Sequence, residues 1–299
     1  MTITIASAQY PIATHNSIQD WKEYTEQWVK DAVAQKAKLL VFPEYGSMEL
    51  VSIFSKEIQG DLHGQIEAMQ DLLIDFKSIY LNMSIRYGIT IVAPSFPVKV
   101  GQKFHNRAFV FSPQGEVGYQ DKLFMTRFEI EEWGIHAAPK LLTVFEADWG
   151  SFGIQICYDS EFSIATQHLA QNGMDVLLVP SCTETLRGAT RVHVGTRARA
   201  MEQQVYGVVS QTINDALWSP AVDVNFGYTA FYSTPDKNFP EDGIIAIETP
   251  QKEGWLVQTL DLSLLKTVKE DGQVFNFKDH LDIKQEFIGD IIQVQKVKI

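Results

Sequence analysis

A thiol, a carboxylate and an ammonium in this chain could together do covalent chemistry: Cys157, Glu44 and Lys122. Cys157 follows a largely apolar run at 152–156 that reads as a short buried strand. Tyr158 and Asp159 then turn the chain. A helical pattern comes next, with Phe162, Ile164, Ala165 and Leu169. Strand, sharp turn and helix push a nucleophile out of the backbone and leave the next N–H groups free for a developing oxyanion. A lone cysteine is more often a small buried hydrophobe, so the reading depends on what activates it. A free thiol has a pKa of about 8.5 and needs a neighbouring base or cation. No histidine stands in a recognisable Cys/His signature, which makes a carboxylate base a candidate. Glu44 lies just past the buried strand 39–42, in Phe42-Pro43-Glu44-Tyr45. Lys122 directly follows a hairpin, where a fixed positive charge could stand beside an oxyanion. Taken singly, Glu44 reads as a solvated loop carboxylate and Lys122 as a surface lysine. Cys182, after Pro180-Ser181, reads as a structural cysteine near the site.

The elements that would position these residues alternate between strand and helix. Strands are expected at 2–9, 39–42, 90–93, 107–111, 116–119, 141–145, 151–156 and 176–179, then near 206–212, 226–232, 243–247 and 254–260. Asn16-Ser17 can cap a helix to about Lys36, with Trp21, Trp28, Val29, Ala32 and Val33 at helical spacing. One long helix is expected at about 62–86 and another at about 190–204. Ser112-Pro113-Gln114-Gly115 marks a hairpin turn. Apolar strands alternating with amphipathic helices argue an α/β fold with helices covering a sheet. Pro43, Pro94 and Pro180 are read as strand ends, because proline cannot continue a ladder. We expect one domain at 1–262 and a C-terminal extension at 263–299. Phe275, Phe277, Phe287, Ile288, Ile291 and Ile292 make that extension too apolar to hang free, so it should pack on its own domain or a partner subunit.

Bulk properties remove several functions. The net charge of −12 disfavours nucleic-acid and anionic-membrane partners. No apolar run reaches the length of a membrane span. The first residues read as a strand and not as a signal peptide. Two cysteines and no leader fit a reduced, cytoplasmic setting. The seven histidines show no His-Glu-x-x-His spacing, and there is no Cys-x-x-Cys, so no metal is expected. No Gly-rich phosphate loop follows a strand, so no cofactor is expected.

Phe42-Pro43-Glu44, then Lys122 after an Asn106-Arg107-Ala108 hairpin, then Gly153-Ile154-Gln155-Ile156-Cys157-Tyr158-Asp159, together resemble the signature blocks of the nitrilase, or carbon–nitrogen hydrolase, superfamily. Leu177-Leu178-Val179-Pro180-Ser181 and Arg197-Ala198-Arg199-Ala200-Met201-Glu202 extend the likeness to about residue 262. The resemblance implies a four-layer α-β-β-α sandwich, with Glu44 as general base, Lys122 as oxyanion stabiliser and Cys157 as nucleophile. It implies an oxyanion donor in the Tyr158 backbone N–H, and a second glutamate beyond the lysine, best matched by Glu129. Cys-Tyr-Asp resembles the amidase-type branches, so the expected substrate is a small-molecule amide. N-carbamoyl hydrolysis, nitrile hydrolysis, acyl transfer to an amine and an inactive scaffold are the competing readings. Tyr45, Trp133 and Thr183, and also Phe124 and Trp218, are candidate substrate contacts by their nearness to the motifs. The resemblance also implies a homodimer packed through helices near the site. One departure is His193-Val194, where relatives often carry His-Trp.

Overall fold

In the computed structural model, which describes residues 1–288, 295 and 296, the chain begins with β1 (Thr2–Pro11), α1 (Ile18–Ala34) and β2 (Leu39–Val41). Three helices follow: α2 (Lys56–Gly60), α3 (Leu62–Ala68) and α4 (Leu73–Tyr87). Then come β3 (Thr90–Val92), β4 (Phe96–Val100), β5 (Lys103–Phe111), β6 (Val117–Asp121), β7 (Val144–Ala147) and β8 (Gly150–Ile154). The second half holds α5 (Ser163–Gln171), β9 (Val176–Ser181), α6 (Leu186–Gln203), β10 (Tyr206–Ile213), β11 (Ala230–Tyr232), β12 (Ile244–Ile247) and β13 (Gly254–Asp261). It closes with α7 (Ser263–Asp271) and α8 (Asn276–Ile288).

The strands form one continuous network in the order β4-β5-β3-β2-β1-β10-β9-β8-β7. β1 pairs antiparallel with β13 from Thr2 to Gln9, and its last residues cross to β10 in parallel, Gln9 to Gln211 through Pro11 to Ile213. That crossover joins the two β layers. Side chains alternate across a strand. Ala6, Ala8 and Tyr10 of β1 therefore face one core, with Trp21 and Val29 of α1 and Phe76 and Tyr80 of α4. Ile3 and Ile5 face the other core, with Val41, Val92 and Val110 from the first layer and Ile154, Leu178 and Phe231 from the second. α5 and α6 add Leu169, Val192 and Ala200 to that second core. The result is helix, sheet, sheet, helix, as the resemblance implied, with the two sheets hydrogen-bonded to each other.

Local signals explain most boundaries. Ser17 caps α1, its Oγ accepting the Asp20 N–H at 3.1 Å. Gly88, at φ 63°, closes α4 in the left-handed conformation. Two expectations need correction. The helix at 62–86 is broken by a 3-10 turn at Met69–Leu72. There Gln70 leaves helical register to bond the β4 backbone, donating to Pro97 O at 2.6 Å and accepting from Lys99 N at 2.9 Å. Pro180 lies inside β9, paired with Ser210 of β10, and does not end it. β8 stops pairing with β9 at Leu178, so proline meets an open edge there and removes no ladder bond.

The C-terminal segment packs on its own chain. Leu265 of α7 is buried in the second core, Phe277 of α8 packs against it, and Val268 of α7 is buried as well. Gln204 donates to Val274 O at 3.1 Å and accepts the Phe277 N–H at 3.2 Å. Phe275 stays exposed. The side chains of Phe287 and Ile288, with Ile291 and Ile292, lie outside the described residues.

Candidate active site

Three strand ends bring the three candidate residues together. β2 runs out at Val41 and delivers Glu44, whose backbone carbonyl accepts the Thr212 hydroxyl of β10 at 2.6 Å. β6 delivers Lys122, whose N–H adds one more bond to the β5–β6 hairpin by donating to Asn106 O at 2.9 Å. β8 leads into Cys157, which opens a 3-10 turn at Cys157–Glu161 with φ 49°. A left-handed conformation is uncommon for a side chain with a Cβ, and it clusters at functional sites.

All three residues line one cavity of about 240 Å³. Lys122 is 1% exposed. Its Nζ donates to Glu44 Oε1 at 2.7 Å and to Glu129 Oε2 at 2.7 Å. Glu44 also accepts Asn106 Nδ2 at 2.8 Å on Oε1 and the Cys182 N–H at 2.9 Å on Oε2. Glu129 also accepts the Thr126 N–H and hydroxyl, each at 2.9 Å, and the Tyr45 hydroxyl at 2.8 Å. The Cys157 thiol lies 3.6 Å from the Cys182 carbonyl oxygen, to which it donates.

This geometry pushes the two carboxylates in opposite directions. Burial raises the Glu44 carboxyl above the ordinary range, a rise that Lys122 only partly offsets. Burial raises Glu129 too, but there Lys122 and the bonds from Thr126 and Tyr45 outweigh it and hold the group ionised. Lys122 is pulled down by burial and pushed up further by its two carboxylates, so it stays charged. Burial and the Glu44 charge raise the Cys157 thiol well above its usual value. Such a thiol keeps its proton until a base takes it. A pair of titratable groups with separated affinities is the usual mark of divided acid–base roles.

The expected substrate contacts Tyr45, Trp133 and Thr183 line the cavity, as does Tyr158, the expected oxyanion donor. The Tyr45 hydroxyl is engaged by Glu129, and the Thr183 hydroxyl donates to Phe226 O at 2.7 Å. Phe124 and Trp218 need correction. Phe124 stacks on Phe162 at 4.1 Å in a neighbouring hollow, and Trp218 packs, half-buried, against the first core. Cys182 lines the cavity, its thiol 3.1 Å from Asn225 Oδ1. Arg197 donates to Asp242 O and Arg199 to Glu202 at 2.9 Å; neither reaches the cavity. His193 is stacked on Tyr228 and bonded to Tyr232 and the Tyr228 carbonyl; burial lowers its pKa to about 4, so it is neutral at ordinary pH.

Two residues escaped the sequence reading. Asn106 bridges Glu44 and Glu129, the latter at 3.4 Å, and its only signal was its place in the Asn-Arg-Ala block. Asp159 binds the backbone on both sides of the site, and its only signal was that it follows Cys157-Tyr158.

Comparison with known proteins decides the family. The carbon–nitrogen hydrolase family model matches residues 4–270. The chain belongs to the carbon–nitrogen hydrolase family. Among relatives of this hydrolase, a probable hydrolase, YhcX, of Bacillus subtilis is 29% identical over 277 residues, covering 93% of this chain and 53% of that protein. A chloroplastic omega-amidase of Arabidopsis thaliana is 27% identical, covering 81% of this chain and 64% of that protein. The chain thus spans between half and two thirds of the length of these two relatives. Among solved structures, a carbon–nitrogen hydrolase from Helicobacter pylori superposes with a TM-score of 0.77 at 17% identity, covering 98% of this chain and 99% of that one. An amidase from Nesterenkonia matches with a TM-score of 0.68 at 18% identity, covering 95% and 96%. At these identities the structural likeness speaks for the fold.

Proposed function

We propose that this carbon–nitrogen hydrolase cleaves a small amide through a thioester on Cys157, releasing ammonia or an amine. The observation that supports this most directly is the buried ammonium of Lys122 held at 2.7 Å by both Glu44 and Glu129, on the same cavity as the Cys157 thiol. Glu44 takes the thiol proton as Sγ attacks the amide carbon. The Lys122 ammonium and the Tyr158 N–H receive the oxyanion, the latter sitting in the first turn after Ile156, where an N–H has no intrahelical acceptor. Glu129 holds Lys122 in place. The tetrahedral adduct collapses, the C–N bond breaks, and Glu44 passes its proton to the leaving nitrogen. Glu44 then draws a proton from water, whose oxygen attacks the thioester. The acid departs and the thiol regains its proton. An omega-amidase and a deaminated glutathione amidase among the relatives are consistent with amide chemistry.

The test is mass spectrometry of the chain mixed with small amides. An acyl adduct on Cys157, ammonia release, and loss of both in Cys157→Ala are expected. Undiminished amide hydrolysis by Cys157→Ala would rule the scheme out. We also propose a homodimer in a cytoplasmic setting. Ile164 on α5 and Val194 and Met201 on α6 are exposed apolar residues suited to such a contact. Among the described residues no helix is long and apolar enough to cross a membrane.

A further inference from the structure

Resting on the amidase reading, we infer that the substrate carries a positive charge at the end remote from its scissile amide. The charges lining the cavity carry the argument. Its mouth presents three carboxylates, Glu161, Glu184 and Asp223, against one guanidinium, Arg191. Arg191 is already engaged, its Nε 3.2 Å from Glu161 Oε1. Glu184 and Asp223 form no ion pair among the described residues, and the Glu184 charge is felt at Cys182 beside the thiol. Deeper in, two carboxylates face the single ammonium of Lys122. Both levels of the cavity are therefore net negative.

A cleft lined by one sign of charge concentrates ligands of the opposite sign and repels its own. An amide ending in a carboxylate would meet repulsion at the mouth, and its one candidate partner, Arg191, would have to leave Glu161. An amide ending in an ammonium meets Glu184 and Asp223 unopposed. The wall between mouth and thiol suits an alkyl chain and a cation, being lined by Phe128, Trp133 and Tyr158.

The experiment compares three amides of equal length: γ-aminobutyramide, valeramide and succinamate. Ammonia release gives kcat/KM for each at low and at high salt. The cationic amide should lead and the carboxylate amide should trail, with about 10- to 10³-fold between them at low ionic strength. The gap should shrink in about 1 M salt, where the Debye length is about 3 Å. Glu184→Lys combined with Asp223→Lys should erase or invert the order. Equal rates for all three, or succinamate as the best substrate with its turnover lost in Arg191→Gln, would overturn the inference and leave the amidase reading standing. Ammonia from none of the three, with Cys157 still alkylated by iodoacetamide, would overturn the amidase reading and the inference with it.

Discussion

The Asp159 carboxylate accepts the backbone N–H of Phe124 at 2.8 Å, and that bond ties two distant parts of the site. The same carboxylate accepts the N–H of Leu123 at 3.1 Å and that of Ile156 at 3.1 Å. It thus holds the two residues after Lys122 to the residue before Cys157. Asp159→Ala releases that clamp without touching any reacting group. A misplacement of about 1 Å can cost about 10²-fold in rate. We expect kcat to fall by about that factor with KM little changed, and steady-state kinetics on any amide that turns over checks it. An unchanged kcat would mean that Lys122 and Cys157 keep their spacing without Asp159.

Asp159 also links stability to pH. Burial raises its carboxyl from 3.8 to about 7. The folded state therefore holds this proton more tightly than the unfolded chain. Its stabilising contribution is complete below about pH 3.8 and is lost as pH rises to about 7. Asp159→Asn cannot ionise and should lack this slope. Melting temperatures taken across that window should show the native chain losing stability relative to Asp159→Asn as pH rises.

In the proposed mechanism Glu44 sets the acid side of the activity profile. It accepts the thiol proton only when ionised, and burial holds its carboxyl above the ordinary value. Activity should therefore fall as pH drops through a midpoint above the usual glutamate range of about 4.3. The limb should persist in Asp159→Asn and vanish, with most of the rate, in Glu44→Gln. A kcat/KM profile of the three proteins decides it.

Lys122 should matter to the fold as well as to the proposed chemistry. Lys122→Met leaves Glu44 and Glu129 facing each other, buried and without their shared cation. Breaking a buried pair from one side costs about 3–5 kcal/mol. Chemical denaturation should show a loss of that size. Adding Glu129→Gln should recover part of the stability and none of the activity. Full recovery of activity would remove Lys122 from the mechanism.

The C-terminal helices hold part of the core in place. Ending the chain at residue 262 removes Leu265 from the second core, deletes the buried Val268 and strips the Gln204 side chain of its partners. Large-to-small changes at such positions cost about 2–5 kcal/mol each. The truncated chain should melt markedly lower by calorimetry. Unchanged melting would show that the first 262 residues are self-sufficient.

Much of this was legible before any coordinates. An apolar run that stops at a turn is a local signal, so the strand ends carrying Glu44 and Cys157 could be read residue by residue. Ser17 and Gly88 likewise act on their nearest neighbours. The break at Met69 and the continuation of β9 through Pro180 were not legible. Each depends on what stands beside it in space: the β4 backbone that receives Gln70, and the end of β8 that leaves Pro180 unopposed.

The site divides along the same line. The order of residue types along the chain determined the α/β class, the family, and the short list of Glu44, Lys122, Glu129 and Cys157. The tertiary structure alone decided that Lys122 Nζ reaches Glu44 across 78 positions of sequence, and that one carboxylate is raised while the other is lowered. It also revealed Asp159 as the clamp. Burial and electrostatics depend on distances through space, which residue order does not contain.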